Sequence, residues 1–338
     1  MFVAWRDLRF AKGRFALMGT VVVLMTLLVG LLSGLTAGLA AQSTSAITGL
    51  RADHLVFAEP GRGSLSFGQS TVTREQAEQY ARVPGVTSAE PIAISTASAA
   101  AGGRTATVAA FGVRNPSSGT AVLSTGAADA LKAREGDQLT LQGQKVTVTA
   151  IAGDDSYSHL PVVWTHFAGP NATVLAVTTG PSTDFAVADA RLGTRTVTKD
   201  DALSAIGSYS AENGSLQLMR GFLFVIAALV IGAFFTVWTI QRSRDIAVLK
   251  ALGATTKYLL RDALGQAVVL LIGGTVLGTG LAAALGAVAS GTVPFVLGAG
   301  TLLGPAAVLV VLGVLGAALA VRRITSVDPL TALTSGAH

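Results

Sequence analysis

Residues 263–321 read ALGQAVVLLIGGTVLGTGLAAALGAVASGTVPFVLGAGTLLGPAAVLVVLGVLGAALAV, without one Asp, Glu, Lys, Arg or His. About 20 apolar residues cross a bilayer core as a helix. A run roughly three times that long holds two spans and a turn. Gly291, Pro294, Gly298, Gly300 and Gly304 mark the break, because Gly and Pro punctuate helices. The two spans are then helix 3 over 263–290 and helix 4 over 300–321. Working outward, Gly221–Gln241 also lacks ionisable side chains and places helix 2 over 218–241. Phe15–Leu50 lacks them too, and helix 1 falls over 15–41. The whole chain is 51% hydrophobic and 13% charged, where a soluble domain carries about 25% charged residues. The fold class is a membrane protein of four transmembrane α-helices, with one extracytoplasmic α+β domain, residues 42–217, inserted between helices 1 and 2.

Charge placement orients it. Segments 1–14, 242–262 and 322–338 hold 11 basic and 4 acidic side chains, whereas 13 basic and 15 acidic lie in 51–220. Basic excess beside helix ends marks the cytoplasmic side. Both termini and the 242–262 loop are therefore expected in the cytoplasm of a multi-pass protein of the cell membrane. The net charge of +5 is spent at the lipid bilayer on this reading, with no nucleic acid as partner. In 1–14, Phe2, Val3, Trp5, Leu8 and Phe10 alternate with Arg6, Arg9, Lys12 and Arg14. That suits a helix lying at the cytoplasmic interface, and equally the flank of an anchor. The apolar run that follows exceeds the roughly 7–15 residues of a signal-peptide core, so it reads as a retained span.

Within the outer segment, Thr73 opens a helix through Arg82, with Glu75 and Gln76 in its first turn and Pro84-Gly85 ending it. Val86–Ser95 reads as a strand. From Gln138 to Ile151, Leu139, Leu141, Val146, Val148 and Ala150 share one face, with a hairpin turn at Gln142-Gly143-Gln144. Asp154-Asp155 and Gly169-Pro170 are loops, and a second short helix covers Lys199 to Ile206.

Catalytic chemistry is scarce. The chain has no cysteine, no GxxxxGK[ST] phosphate loop and no HExxH, and its four histidines, His54, His159, His166 and His338, are scattered. Neither an intrinsic cofactor, a metal site nor enzyme activity is expected. Asp154, Asp155, Ser156 and His159 could be arranged as a hydrolytic set, but neighbours in sequence do not make a triad, and a solvated turn is the preferred reading. Gly30, Gly34 and Gly38 on helix 1, like Gly274 and Gly278 on helix 3, recur at four-residue spacing. Such stripes let backbones approach closely. They serve packing within the subunit or across a dimer, and leave room for a flat ligand between two helices. In the loop, Ile246, Leu249, Ala251 and Leu252 form the apolar face of a short amphipathic helix capped by Gly253. That face suits the membrane surface or a partner's groove.

The run RSRDIAVLKALGAT at 242–255 resembles the cytoplasmic signature of the FtsX-like, MacB-type family of ABC transporter permeases: a basic residue, an acidic one, an apolar run, then Ala-Leu-Gly-Ala. The C-terminal Arg322-Arg323-Ile-Thr-Ser-Val-Asp-Pro-Leu-Thr-Ala-Leu333 is similar to that family's close, where Pro-x-x-Ala-Leu follows the last helix. The order of spans and outer domain agrees. The resemblance implies a homodimeric permease bound to two copies of a cytoplasmic ABC ATPase, which binds and hydrolyses the ATP. It also implies that 243–253 is the coupling helix on that ATPase, through Arg244, Asp245, Ile246, Leu249, Leu252 and Gly253. A narrower likeness lies at Ile206-Gly-Ser-Tyr-Ser-Ala-Glu-Asn-Gly-Ser-Leu216, which looks like the junction before helix 2 in the heme-efflux permeases of the family. It implies heme as the transported ligand, with Tyr209, Glu212, Met219 and Arg220 as its binding residues. Tyr and carboxylate oxygens suit ferric iron, and Arg pairs with propionates. Equally, Tyr209 suits a belt aromatic, Glu212 a first-turn acid and Arg220 a snorkelling side chain. The alternatives are a mechanotransmitting FtsX-like permease acting on an external cell-wall enzyme or sensor, and an exporter of lipids or peptides.

Overall fold

The computed structural model describes residues 12–61, 63–180, 183–241, 248, 253 and 255–325. Residues 1–11 of the expected interfacial segment lie outside the described residues, as do the coupling residues Arg244, Asp245, Ile246, Leu249 and Leu252 and residues 326–338 of the tail. Four helices are long and apolar enough to cross a membrane: Ala16–Thr48, Gly207–Gln241, Arg261–Ala289 and Ala299–Ala320. The chain falls into two compact units, residues 39–214 and residues 1–38 with 215–338.

Helix α1 (Lys12–Thr48) continues past the expected end at 41, because Ala46 and Ile47 in its last turns are fully buried in the first of these units. The chain then forms β1 (His54–Ala58), β2 (Val72–Thr73), α2 (Arg74–Tyr80), β3 (Val86–Ala101), β4 (Arg104–Val113), β5 (Thr120–Leu123) and α3 (Thr125–Leu131). Next come β6 (Gln138–Leu141), β7 (Gln144–Ile151), β8 (Ser156–Tyr157), β9 (Leu160–His166), β10 (Asn171–Ala172) and β11 (Val174–Thr179). The unit ends with α4 (Ala186–Leu192), β12 (Thr194–Thr198), α5 (Lys199–Ala202) and a 3-10 turn at Leu203–Ala205.

The main sheet runs β12-β1-β11-β3-β4-β9-β5-β7-β6, and β6 pairs back onto β3. Strand β3 belongs to both halves: Val86–Ile92 pairs with β11, while Ala93–Ala101 pairs with β4 and, at Ala99 and Ala100, with β6. Six strands thus close into a ring whose interior holds Ala97, Ala99, Val108, Ala110, Leu139 and Val163, packed by Leu131 of α3. The strand expected over 86–95 is longer because Thr96–Ala101 carries small side chains. These give little strand signal, yet they are what the ring interior accommodates. In β1, Leu55 and Phe57 face one apolar cluster, with Phe67 and Phe111, while Val56 faces the other, with Tyr80 and Leu175. That is the period-2 alternation of a strand covered on both faces.

Local signals are honoured. Thr73 caps α2 through a capping box with Gln76, and the helix stops at Tyr80 with Ala81 as its C-cap. The β6–β7 hairpin turns on Gln142 and Gly143, whose φ values of 51° and 81° are both positive, as a two-residue type I′ turn requires. Gln144 is already in the strand. The expected helix over Lys199–Ile206 is α5 plus the 3-10 turn.

Helix α6 (Gly207–Gln241) starts eleven residues before the expected 218. Its first turns, GSYSAENGS, have no apolar periodicity to announce a helix. The packing of Ile206 and Tyr209 on the inserted unit's core supplies what propensity does not. In the membrane unit, Thr255 caps α7 (Thr256–Ala289), its side chain accepting from the Tyr258 N–H, and α8 (Ala299–Thr325) follows. Met18, Val22, Ile231, Phe235, Trp238, Ala267, Leu271 and Ala317 form its interior, while Leu229, Val288 and Leu319 point outward.

The glycine stripe of α1 is filled from within the chain. Gly30 meets Ala282 and Leu302, Gly34 meets the Phe295 ring, and Gly38 meets the backbone of Pro294. The Val296 N–H donates to the Gly34 carbonyl (3.1 Å). The stripe therefore seats the α7–α8 connection. That is the packing within the subunit which its spacing allowed, and Pro294 and Phe295 fill the room expected for a flat ligand along this stripe.

Candidate functional site

Strands β8 and β9 form a hairpin in which Tyr157 pairs with Leu160, leaving a two-residue turn. Its residues, Ser158 and His159, have φ of 52° and 62°. Neither is glycine, so each carries the left-handed cost of about 1–2 kcal/mol. What holds the turn is a set of bonds to both helix ends of this unit. The Ser158 N–H donates to the Ser43 carbonyl and the His159 N–H to the Gln42 carbonyl, both at 3.1 Å. Ser158 Oγ donates to Ser208 Oγ at 2.8 Å. Alongside, Ser45 Oγ accepts from the Ser156 N–H at 2.7 Å.

The His159 ring completes the cluster. Its Nε2 lies 3.0 Å from Ser43 Oγ and 3.0 Å from each carboxylate oxygen of Glu212. Ser43 is fully buried. The His159 and Glu212 side chains retain 32% and 44% of their exposure, so solvent or a ligand reaches the pair. Ser, His and Glu in contact suggest a hydrolytic triad, but the geometry excludes a relay. A triad histidine binds its serine through one nitrogen and its acid through the other, whereas here one nitrogen faces both.

The sequence expectations sort accordingly. Glu212 is half exposed with His159 on its carboxylate, a partner that sequence reasoning missed by leaving His159 in a solvated turn. Tyr209 packs against the apolar cluster containing Ile206 and Phe111, so its ring anchors the start of α6. Met219 and Arg220 lie further along α6, in the other unit; Met219 is half exposed and Arg220 partly so. Asp155 accepts from Trp164 Nε1 (3.1 Å) and Asp154 from Thr125 Oγ1 (3.0 Å), so the acidic pair ties down its loop. Tyr157, beside the turn, is raised well above the ordinary phenol range by burial. Gly253, the one residue of the expected coupling set among those described, has φ +93°, a conformation that favours glycine.

A groove of about 550 Å³ lies elsewhere on the inserted unit, between α2 and β3. Its Arg74 and Arg114 are paired with Glu78 and Glu90 at 3.2 and 3.4 Å. Among the described residues no group of three or more His, Asp or Glu could hold a metal ion.

A bundle with four apolar spans and an α+β domain inserted after the first defines a multi-pass membrane protein. Residues 218–329 match the family described as FtsX-like permease C-terminal. Over 99% of its length the chain is 26% identical to a protein of Staphylococcus epidermidis named as a hemin transport system permease, HrtB, of which it covers 100%. It is also 26% identical, over 98% of its length and 99% of the relative's, to an uncharacterized ABC transporter permease of Mycobacterium tuberculosis. The periplasmic region of MacB from Actinobacillus actinomycetemcomitans aligns with 48% of this chain and 96% of that region, at 13% identity and a TM-score of 0.36. The chain carries an FtsX-like permease C-terminal domain over residues 218–329 and is similar over nearly its full length to proteins named as ABC-type permeases.

Proposed function

We propose that this permease exports heme from the cell membrane, as one of two identical subunits driven by two copies of a cytoplasmic ABC ATPase. The observation that carries the reading is Glu212: a half-exposed carboxylate near the start of α6, held by an imidazole. A ferric porphyrin is flat, amphipathic and Lewis-acidic, and an oxygen ligand at the outer membrane surface suits it. The full-length relatives named for hemin transport support the same substrate. In this mechanism heme enters from the outer leaflet and Glu212 takes the iron, with Tyr209 beside it. ATP binding by the partner closes the dimer through residues 243–253 and expels the substrate. The positive-inside pattern supports the orientation this reading uses, with the inserted domain outside and both termini in the cytoplasm.

The test is an absorption titration of the purified protein with hemin, beside Glu212→Ala and Tyr209→Phe. A saturable Soret shift weakened by Glu212→Ala supports heme as ligand and Glu212 as its site. Saturable binding that neither substitution changes moves the site elsewhere. Absence of binding beyond that of detergent removes heme and leaves the signalling and the lipid or peptide export readings. The signalling reading has its own support: the core of the inserted unit contains Ala46 and Ile47 of α1 and Ile206, with Tyr209 of α6 packed against it. A displacement of either helix end would be passed to that domain.

A further inference from the structure

The carboxylate assigned to the iron is already occupied. Both Glu212 oxygens sit 3.0 Å from His159 Nε2, so the imidazole shares both oxygens through which an iron could be bound. The imidazole is not there by drift. It stands on a turn with two non-glycine residues at positive φ. That turn is fastened to the Gln42 and Ser43 carbonyls and to Ser208. Backbone strain retained at a fixed point next to a ligand group is a recurrent mark of function. Ser43 Oγ, 3.0 Å from the same nitrogen, gives the imidazole a second partner when the carboxylate is taken from it.

From this geometry we infer that His159 is a positioning residue acting through Glu212: it competes with the ligand's iron for the carboxylate, so that the metal is held more loosely than a free carboxylate would hold it and is released more readily. This rests on the reading of Glu212 as the iron ligand and concerns only ligands that carry a metal. The exchange is balanced without electron transfer. The hydrogen bond between His159 and Glu212 breaks, the bond from the carboxylate to the ferric iron forms, and the imidazole retains Ser43 Oγ, already 3.0 Å from Nε2, as its partner. A porphyrin without a metal, or a simple amphiphile, has nothing to offer the carboxylate and leaves His159 in place.

The experiment titrates hemin, by its Soret band, and metal-free protoporphyrin IX, by its fluorescence, into the full-length protein and into His159→Ala. Removing the competitor should tighten hemin about two- to fivefold, the scale of one half-exposed polar contact, and leave the metal-free porphyrin unchanged. The preference for the metal should therefore widen. His159→Phe keeps a ring on the turn without an N–H and must reproduce the effect, which protects the result if His159→Ala destabilises the hairpin. His159→Gln restores a donor and should return hemin binding toward wild type. Equal shifts for both porphyrins would mean that His159 only supports the fold, and would overturn the inference. Hemin binding weakened more than that of the metal-free ring would make His159 an aid to the iron, and would overturn it too. If the unaltered protein binds hemin but Glu212→Ala does not weaken it, the inference falls while heme stands. If the unaltered protein does not bind hemin, both fall together.

Discussion

Gly38→Ala should destabilise the membrane unit, and by more than helix propensity can offset. A methyl group at Gly38 would overlap the carbonyl group of Pro294 and approach within 2.8 Å of the Phe295 nitrogen. These are backbone atoms of the α7–α8 connection, held in turn by the bond from the Val296 N–H to the Gly34 carbonyl, so they have no rotamer with which to yield. Overpacking of this kind costs about 1–3 kcal/mol, and contact with backbone places it toward the upper end. Replacing glycine by alanine inside a helix returns about 0.5–1 kcal/mol. The net loss is about 2 kcal/mol. The control is Gly280→Ala on α7, whose added methyl meets nothing within 4 Å and which should gain the propensity term alone. At about 2–4 °C per kcal/mol for a unit of this size, the two variants should melt roughly 5–10 °C apart. The assay is a thermal scan in detergent by tryptophan fluorescence, which includes the buried Trp238 of this bundle. Gly34→Ala should fall between them, because it meets the Phe295 side chain, which can turn. Gly38→Ala melting with Gly280→Ala would refute the argument. It would return the stripe to the contact between two copies that its spacing first suggested.

Tyr80 should make the inserted domain sensitive to alkali. Burial first, and the Asp189 carboxylate next, push its phenol from 10.0 up to about 12. A raised folded-state value means a contribution fully present below pH 10.0 and lost as pH rises through about 12. Urea midpoints followed between those limits should fall in the unaltered protein and fall less in Tyr80→Phe. Near neutral pH, Tyr80→Phe should itself cost about 1–3 kcal/mol. Asp189 loses the Tyr80 hydroxyl but keeps Thr194 Oγ1 at 2.9 Å and the Thr196 N–H at 3.0 Å. Phe57→Ala, which empties a fully buried position between Phe67 and Leu55, should cost about 3–5 kcal/mol and show as an early urea transition. A loss below about 1 kcal/mol would mean that the cluster collapses to fill the space.

What could be read from the sequence was what composition reports over stretches of about 20 residues and what turn chemistry reports over a few. The charge-free runs around Gly221–Gln241 and Ala263–Val321 give the spans, Thr73 with Gln76 gives a helix start, and Gln142-Gly143 gives a turn. The start of α6 escaped because GSYSAENGS is helical on account of what Ile206 and Tyr209 touch, and the end of β3 because its alanines fit the inside of a ring that closes only in three dimensions.

The site escaped for a deeper reason. Glu212 drew attention as a carboxylate beside a span, yet what determines its chemistry is a histidine 53 residues away, itself positioned by a serine 116 residues from it. No spacing rule links Ser43, His159 and Glu212, since each reaches the cluster on a different element. Their meeting depends on a turn that nothing in Tyr157-Ser-His-Leu160 announces, because type I′ turns ordinarily carry Asn or Gly. A histidine in that place, its N–H held by the Gln42 carbonyl, is therefore better explained by what its ring does to Glu212 than by what its backbone does for the hairpin.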